Sequence, residues 1–311
     1  MSILKRVALV GAGGHVGKFI TQELLKTELH EITALTRHAG SYEAPLGVKK
    51  VYVDYNNKDS LVTALKDKDI LVITLSVLAP QDTQLKLFEA AKEAGVKWII
   101  PNSWGSDPTN RSLIVEQGLA PVHDVAVAQL TDLGLNYIWV TCGFWYEHSL
   151  VPFTWSFGFD YNDKSVNLYE DGNHKQTVST WPQVGRFTAK LLSLPLSELE
   201  SNHRNKIVFC GSFTLTQREM LESLERVTNS KWTINEASSS KTWREANEKV
   251  SRGDFSGFGP RLYSRIFFPE TKSEFSGKLL NNRLGVPLNE DLDTATKDSI
   301  DLAESGYAYG T

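Results

Sequence analysis

The chain has 311 residues, 41% of them hydrophobic and 23% charged, and a net charge of −4. This is the profile of a soluble globular protein, long enough for one large α/β domain with an appended lobe. No basic block appears, which excludes a nucleic-acid binder working by counterion release, and the negative balance does not favour acidic partners. No run of about eighteen apolar residues occurs, so nothing is expected to span a membrane. Cys142 and Cys210 each lie in an apolar run and read as core residues, not a disulfide framework. The first residues run straight into a strand and leave no room for a signal peptide, which makes the cytoplasm the expected location.

The first half alternates between two periods. RVALV at 6–10 is a short apolar strand ending in glycines, and residues 16–25 repeat apolar side chains at helical spacing. Strands are predicted at 32–35 and 48–53, a helix at 59–65, and a continuously apolar strand at 70–75. A helix over 81–94 is closed by Gly95, and strands follow at 96–100 and 135–141. This alternation predicts a Rossmann-type, doubly wound parallel sheet over residues 1–150. Residues 151–311 are expected to form a smaller α+β substrate lobe, with 174–195 returning to the first domain.

Past Gly143 the pattern changes. Phe153, Trp155, Phe157, Phe159 and Tyr161 alternate with small or polar residues, which predicts a strand with one aromatic face. That face is read as a packed sheet surface, as a pocket wall for a flat substrate, or as a dimer face. Helices are predicted at 183–192 and at 215–227, the second capped by Thr214 or Thr216, with a strand at 206–210 between them. The polar stretch 238–259 gives no clear assignment.

Chemistry concentrates in the first turn, Gly11-Ala12-Gly13-Gly14-His15-Val16-Gly17. The first glycine permits a tight turn, a middle one lets backbone approach a pyrophosphate, and the last lets the helix close on the strand. The helix start then offers free N–H groups and partial positive charge to phosphates. Gly11, Gly13, Gly14, His15, Val16 and Gly17 are therefore the candidate phosphate-binding residues, His15 shaping the loop. A merely structural glycine turn is the alternative. The second strand ends at Arg37, where an acidic residue would hold the ribose of NAD; an arginine there suits the 2′-phosphate of NADP, unless it is simply solvated. Asp54 closes the third strand, where it would accept from the adenine amino group. Ser76 follows the fourth, beside the expected nicotinamide half.

With these residues, the chain resembles the NmrA-like and isoflavone-reductase-like family of atypical short-chain dehydrogenases. The resemblance rests on GAGGHVG at 11–17, on Arg37, and on Pro101-Asn102-Ser103-Trp104-Gly105, similar to the family's P-S-E-F-G loop. It extends through Gly143-Phe144-Trp145, Glu170-Asp171-Gly172-Asn173 and Trp181-Pro182-Gln183-Val184-Gly185. It implies an NADPH-dependent reductase of small aromatic secondary metabolites, acting as a monomer or homodimer. The family also holds dinucleotide-binding regulators with no known turnover, and a non-redox isomerase or cyclase on the same scaffold is a third reading.

Two departures matter. No tyrosine is followed four residues later by lysine, so the Tyr-x-x-x-Lys pair of ordinary short-chain dehydrogenases is missing. The family's reductases also carry a lysine ahead of a Gly-x-Pro-Tyr turn; here the turn is Gly134-Leu135-Asn136-Tyr137 and the matching position holds His123. An imidazole titrates near neutrality and can donate the proton that accompanies hydride transfer. On a helix His123 shares a face with Ala126, Val127 and Leu130; the alternative is a capping histidine with no chemistry. Tyr146, His148 and Ser103 are the other candidate donors. Trp104, Phe144, Trp145 and His148 are the expected substrate-pocket side chains.

Overall fold

The computed structural model describes residues 2–37 and 42–308. Strand β1 (Arg6–Val10) leads into α1 (His15–Thr27), followed by β2 (Glu31–Thr36), β3 (Val48–Tyr52), α2 (Lys58–Leu65), β4 (Ile70–Ile73), α3 (Thr83–Glu93) and β5 (Trp98–Ile100). Two helices, α4 (Arg111–Gln117) and α5 (Ala120–Asp132), precede β6 (Asn136–Thr141). Six of the seven strands of the main sheet come from this stretch and the seventh is β11 (Lys206–Phe209), all parallel, in the order β11-β6-β5-β4-β1-β2-β3. The winding reverses between β1 and β4, the place where such sheets open a ligand crevice at their carboxyl ends.

The second half begins with β7 (Phe144–Trp145), α6 (Tyr146–Ser149), β8 (Phe159–Asp160), β9 (Ser165–Tyr169) and β10 (Gln176–Ser179). Next come α7 (Trp181–Leu192), α8 (Leu196–Glu198), β11 (Lys206–Phe209), β12 (Phe213–Leu215), α9 (Gln217–Thr228) and β13 (Thr233–Ala237). Helices α10 (Ser239–Ser251), α11 (Phe258–Ser264) and α12 (Leu292–Glu304) complete the chain. Two small sheets, β12-β10-β7 and β13-β9-β8, belong to this lobe. Among the described residues, no helix is long and apolar enough to cross a membrane.

Burial follows the period-two logic of a sheet covered on both faces. Leu9, Val72 and Ile138 face one core with Ile20 and Leu24 of α1 and Val184 and Phe187 of α7. Ala8, Val10, Leu71 and Trp139 face the opposite core with Leu61 of α2, Leu87 of α3 and Leu130 of α5. A third core, around Tyr146, Phe157, Phe159 and Met220, belongs to the second lobe.

Three expectations are corrected. The aromatic stripe is not a strand: only Phe159–Asp160 pairs, and residues 153–158 form turns. Ser156 folds back, its backbone N–H and its hydroxyl both donating to the Phe153 carbonyl. Gly158 then takes a φ of 86° where a Cβ would stand 2.5 Å from the Asn167 carbonyl oxygen. Second, the chain returns to the main sheet beyond residue 195, because β11 pairs with β6 as its outermost strand. Third, the unassigned polar stretch holds α10, started by the Ser238 side chain accepting from the Lys241 N–H, and the beginning of α11.

Candidate active site

The turn after β1 separates its glycines by task. Gly11 has φ 80°, and a Cβ there would stand 2.0 Å from the Thr74 carbonyl oxygen; a Cβ on Gly17 would stand 2.1 Å from that of Gly11. Both positions are demanded by the closeness of strand and helix. Thr74 seals the junction, its hydroxyl donating to the Val10 carbonyl at 2.8 Å. Gly13 lies under a neighbouring ring, with a Cβ only 2.5 Å from Tyr42 Cδ2. Gly14 is different. It is the N-cap of α1, and a Cβ there would meet nothing nearer than the Gly11 oxygen at 3.2 Å.

The first turn of α1 thus has no side-chain cap and no acidic residue, leaving its N–H groups to an anion. The Tyr42 hydroxyl is buried beside the turn without a hydrogen-bond partner. A glycine cradle, uncapped N–H groups and an orphaned hydroxyl are together the donor set a dinucleotide pyrophosphate needs, and the residues fit that group. His15 and Val16 are half-buried at the start of the helix.

Arg37 is exposed at the tip of β2. Its charge reaches the Tyr55 hydroxyl, whose pKa burial pushes up while Arg37 pulls it down. Asp54 is exposed just past β3, its carboxylate accepting from the Asn56 N–H at 2.9 Å in the turn that leads to α2. Ser76 is exposed in the loop after β4, its hydroxyl oxygen accepting from the Leu78 N–H at 3.2 Å. That loop is clasped by Asn102, which accepts from the Leu75 N–H at 3.1 Å and donates to the Leu75 carbonyl at 3.2 Å. Asn102 and Thr74 were missed as site residues; both make backbone bonds across strands, which local sequence does not signal.

Beyond β4 the expected donors separate. Ser103 is buried, and its hydroxyl donates to the Val140 carbonyl at 3.3 Å and accepts from the Val140 N–H at 3.2 Å. It stands in for a missing strand partner of β6 and is not poised to give a proton. Trp104 donates its indole N–H to the Ile73 carbonyl at 2.8 Å, which lays its ring over the end of β4. His123 sits in the first turn of α5, its side chain 20% exposed, with Nδ1 3.0 Å from Asp124 Oδ1. Its ring meets Trp139 edge-on at 4.6 Å. Arg111, and then His123, hold the Asp124 carboxyl well below the usual range. The Trp139 indole N–H and the Thr141 hydroxyl, on the same face of β6, are buried without hydrogen-bond partners.

The other flank is more tightly packed. Phe144 lines a small cavity with Asp107, Leu113, Thr177, Ile266 and Phe275, about large enough for a single water molecule. Trp145 is half-buried against the first core. Tyr146 is fully buried in the core of the second lobe, its hydroxyl 2.9 Å from Thr296 Oγ1 and its pKa pushed up by burial. The expectation of a proton donor there is therefore corrected: the group faces α12, not a cleft. Glu147 is also buried. One carboxyl oxygen accepts from the Trp181 N–H at 2.9 Å, the other has no partner, and burial pushes its pKa up to about 8.

His148 is buried, its pKa pushed down to about 4 by desolvation, with Nδ1 2.9 Å from the Tyr307 hydroxyl. It belongs to a ring cluster that bridges the two lobes. His15 stacks on Trp181 at 4.7 Å and meets the edge of Tyr307 at 5.0 Å. Tyr307 carries no motif, and nothing in the sequence singles it out.

The NmrA-like family model matches residues 4–250. Oxidoreductase aprR of Aspergillus flavus is 26% identical over 258 residues, 81% of this chain and 84% of that one. Pinoresinol reductase 1 of Arabidopsis thaliana is 28% identical over 240 residues, 72% of this chain and 74% of that one. Among solved structures, AtPrR2 with NADP+ and (+)pinoresinol superposes with a TM-score of 0.75 at 21% identity, over 96% of this chain and 99% of the other. NADPH-dependent quinone oxidoreductase QOR2 from Escherichia coli, complexed with NADPH, gives a TM-score of 0.66 at 20% identity, over 94% and 98%. The family match runs from just before β1 into α10, through both lobes, and the chain belongs to the NmrA-like family.

Proposed function

We propose that the chain is an NADPH-dependent reductase of a small aromatic molecule. The observation that carries this is the uncapped, acid-free first turn of α1 behind Gly14, with Arg37 exposed at the tip of β2. When bound, the nicotinamide supplies hydride; the rest of the chemistry falls to the chain. His15 and Val16 offer backbone N–H groups to the pyrophosphate, the Gly14 N–H being bonded to the Gly11 carbonyl within the turn, and Arg37 supplies a fixed cation for the 2′-phosphate. Asp54 and Ser76 lie along the expected path of the adenine and nicotinamide halves. Trp104, held on the end of β4, walls the crevice. His123 is the proposed proton donor, since Ser103 and Tyr146 are engaged in the fold. The two buried free cysteines suit the reducing cytoplasm we propose as its location.

One observation favours a second reading, that of a dinucleotide-binding regulator: the cavity at Phe144 is too small for an aromatic substrate. NADPH oxidation against a panel of aromatic ketones, enones and benzylic ethers separates the two. Turnover is expected, with His123→Ala lowering it about a hundredfold at unchanged NADPH affinity and His123→Lys restoring part of it. Tight NADPH binding with no oxidation by any compound supports the regulator.

A further inference from the structure

Helix α12 ends at Glu304, and the chain turns back through Gly306 at a φ of 78°. Residues 304–306 and 308 are exposed, yet Tyr307 is half-buried. Rings from both lobes surround it. His15, the first residue of α1, lies 5.0 Å away and Trp181, the first residue of α7, 6.5 Å away. From the second lobe come His148 at 5.6 Å and Phe153 at 5.8 Å, and the Tyr307 hydroxyl shares a hydrogen bond with His148 Nδ1 at 2.9 Å. A segment that leaves a helix into solvent frays unless it is tied down. This one is tied across two lobes, at the helix turn whose N-cap is the open glycine.

We propose that the segment after α12, residues 305–308, is a strap across the crevice, in which Tyr307 is a positioning residue that clamps His15, and with it the first turn of α1, against the second lobe. The inference rests on the reading above for the identity of the ligand. Thr74 and Tyr42 hold the turn at 11–13, but α1 has no side-chain cap, so the order of its first residues depends further on what His15 packs against. A loop ordered before its ligand arrives binds at lower entropic cost. Tyr307 therefore strengthens dinucleotide binding without contributing a donor to the phosphates. Burial keeps the His148 imidazole neutral, so the link between the lobes holds across the neutral range.

Hydrogen exchange on the full chain without cofactor tests the clamp directly. In Tyr307→Ala, the amides of Gly14, Lys18 and Leu150, which donate to the carbonyls of Gly11, Gly14 and Tyr146, should exchange about tenfold faster than in the parent. NADPH, followed by its fluorescence, should bind about tenfold more weakly. Tyr307→Phe keeps the ring contacts, loses only the hydroxyl, and should recover most of both effects. Unchanged exchange in a folded Tyr307→Ala overturns the strap, whether or not NADPH binds. Tighter NADPH binding by that variant also overturns it, because the segment would then be a plug. A full chain that shows the exchange effect but takes up no NADPH refutes the proposed function and leaves the clamp standing.

Discussion

At the scale of single residues, a glycine's identity says little until its neighbours are known. Gly11 and Gly14 look alike in the motif, yet a Cβ on Gly11 meets backbone at 2.0 Å, whereas at Gly14 the nearest atom is 3.2 Å away. Gly14 also has φ −75° and ψ 173°, a conformation valine adopts readily. Gly11→Ala should therefore cost on the order of 3 kcal/mol of stability, read as a lowered denaturation midpoint. Gly14→Val should leave that midpoint nearly unchanged and abolish NADPH binding by calorimetry; retained affinity would remove the turn from the site. Glu147 gives a second test. Its pKa is raised by burial to about 8, so between the ordinary carboxylate range and pH 8 the fold holds a proton that the unfolded chain has lost. Stability conferred by that protonated group is complete at low pH and is lost as pH rises toward 8, levelling off above it. Glu147→Gln keeps the carbonyl that accepts from the Trp181 N–H and removes the titration. Its melting temperature should match the parent near pH 4 and exceed it increasingly up to pH 8. A gap that does not change with pH would show that Glu147 titrates normally.

At the scale of elements, the sequence spoke clearly wherever one element's pattern was self-contained. Helix α9 begins as its residues indicate, with the Thr216 side chain and Glu219 forming a reciprocal capping box. The aromatic stripe misled because period-two spacing is also what a tight turn shows by chance, and Pro152 and Gly158 outweigh five aromatic side chains. Donor assignments failed for a related reason. Ser103 is spent on the backbone of β6 and Tyr146 on Thr296 of α12, partners that no local window contains. The tip of β2 is where element and function coincide. Arg37 is exposed there, so Arg37→Asp should leave the fold intact while weakening NADPH by roughly thirty- to a thousandfold, with a far smaller effect on NADH. Parallel titrations of the two cofactors check this; equal losses would make Arg37 structural.

At the scale of the molecule, the boundary near residue 150 is a line in the sequence and not in the fold. The core that contains Ile20 and Leu24 also contains Val184, Phe187, Leu191 and Leu199, and its edge strand β11 is drawn from residues 206–209. Six strands were legible because strand and helix alternate one after another. The seventh was recognised as a strand but not placed in the main sheet, because it arrives after an excursion through another lobe. A fragment ending at 150 loses α7 and β11 and exposes the inner faces of α1 and β6. It should show no cooperative urea transition by circular dichroism, whereas the full chain should. A cooperative transition in the fragment would mean that the nucleotide-binding half folds alone.

Helices α1 and α7 lie side by side and point the same way, His15 stacked on Trp181 and Gly185 packed against the backbone of Phe19. Their peptide dipoles therefore point to one end, but the start of α7 is capped by Thr180 and by Glu147 on the Trp181 N–H, so the roughly half positive charge left open there is that of α1. A polyanion approaching a chain of net charge −4 is repelled at a distance, where salt screens the repulsion beyond roughly 10 Å. Over the last few ångströms it meets the opposite sign. Because that sign is carried by the backbone of α1, it needs no protonated side chain to supply it. Raising the ionic strength should then hasten the arrival of an anionic ligand more than it loosens the bound one.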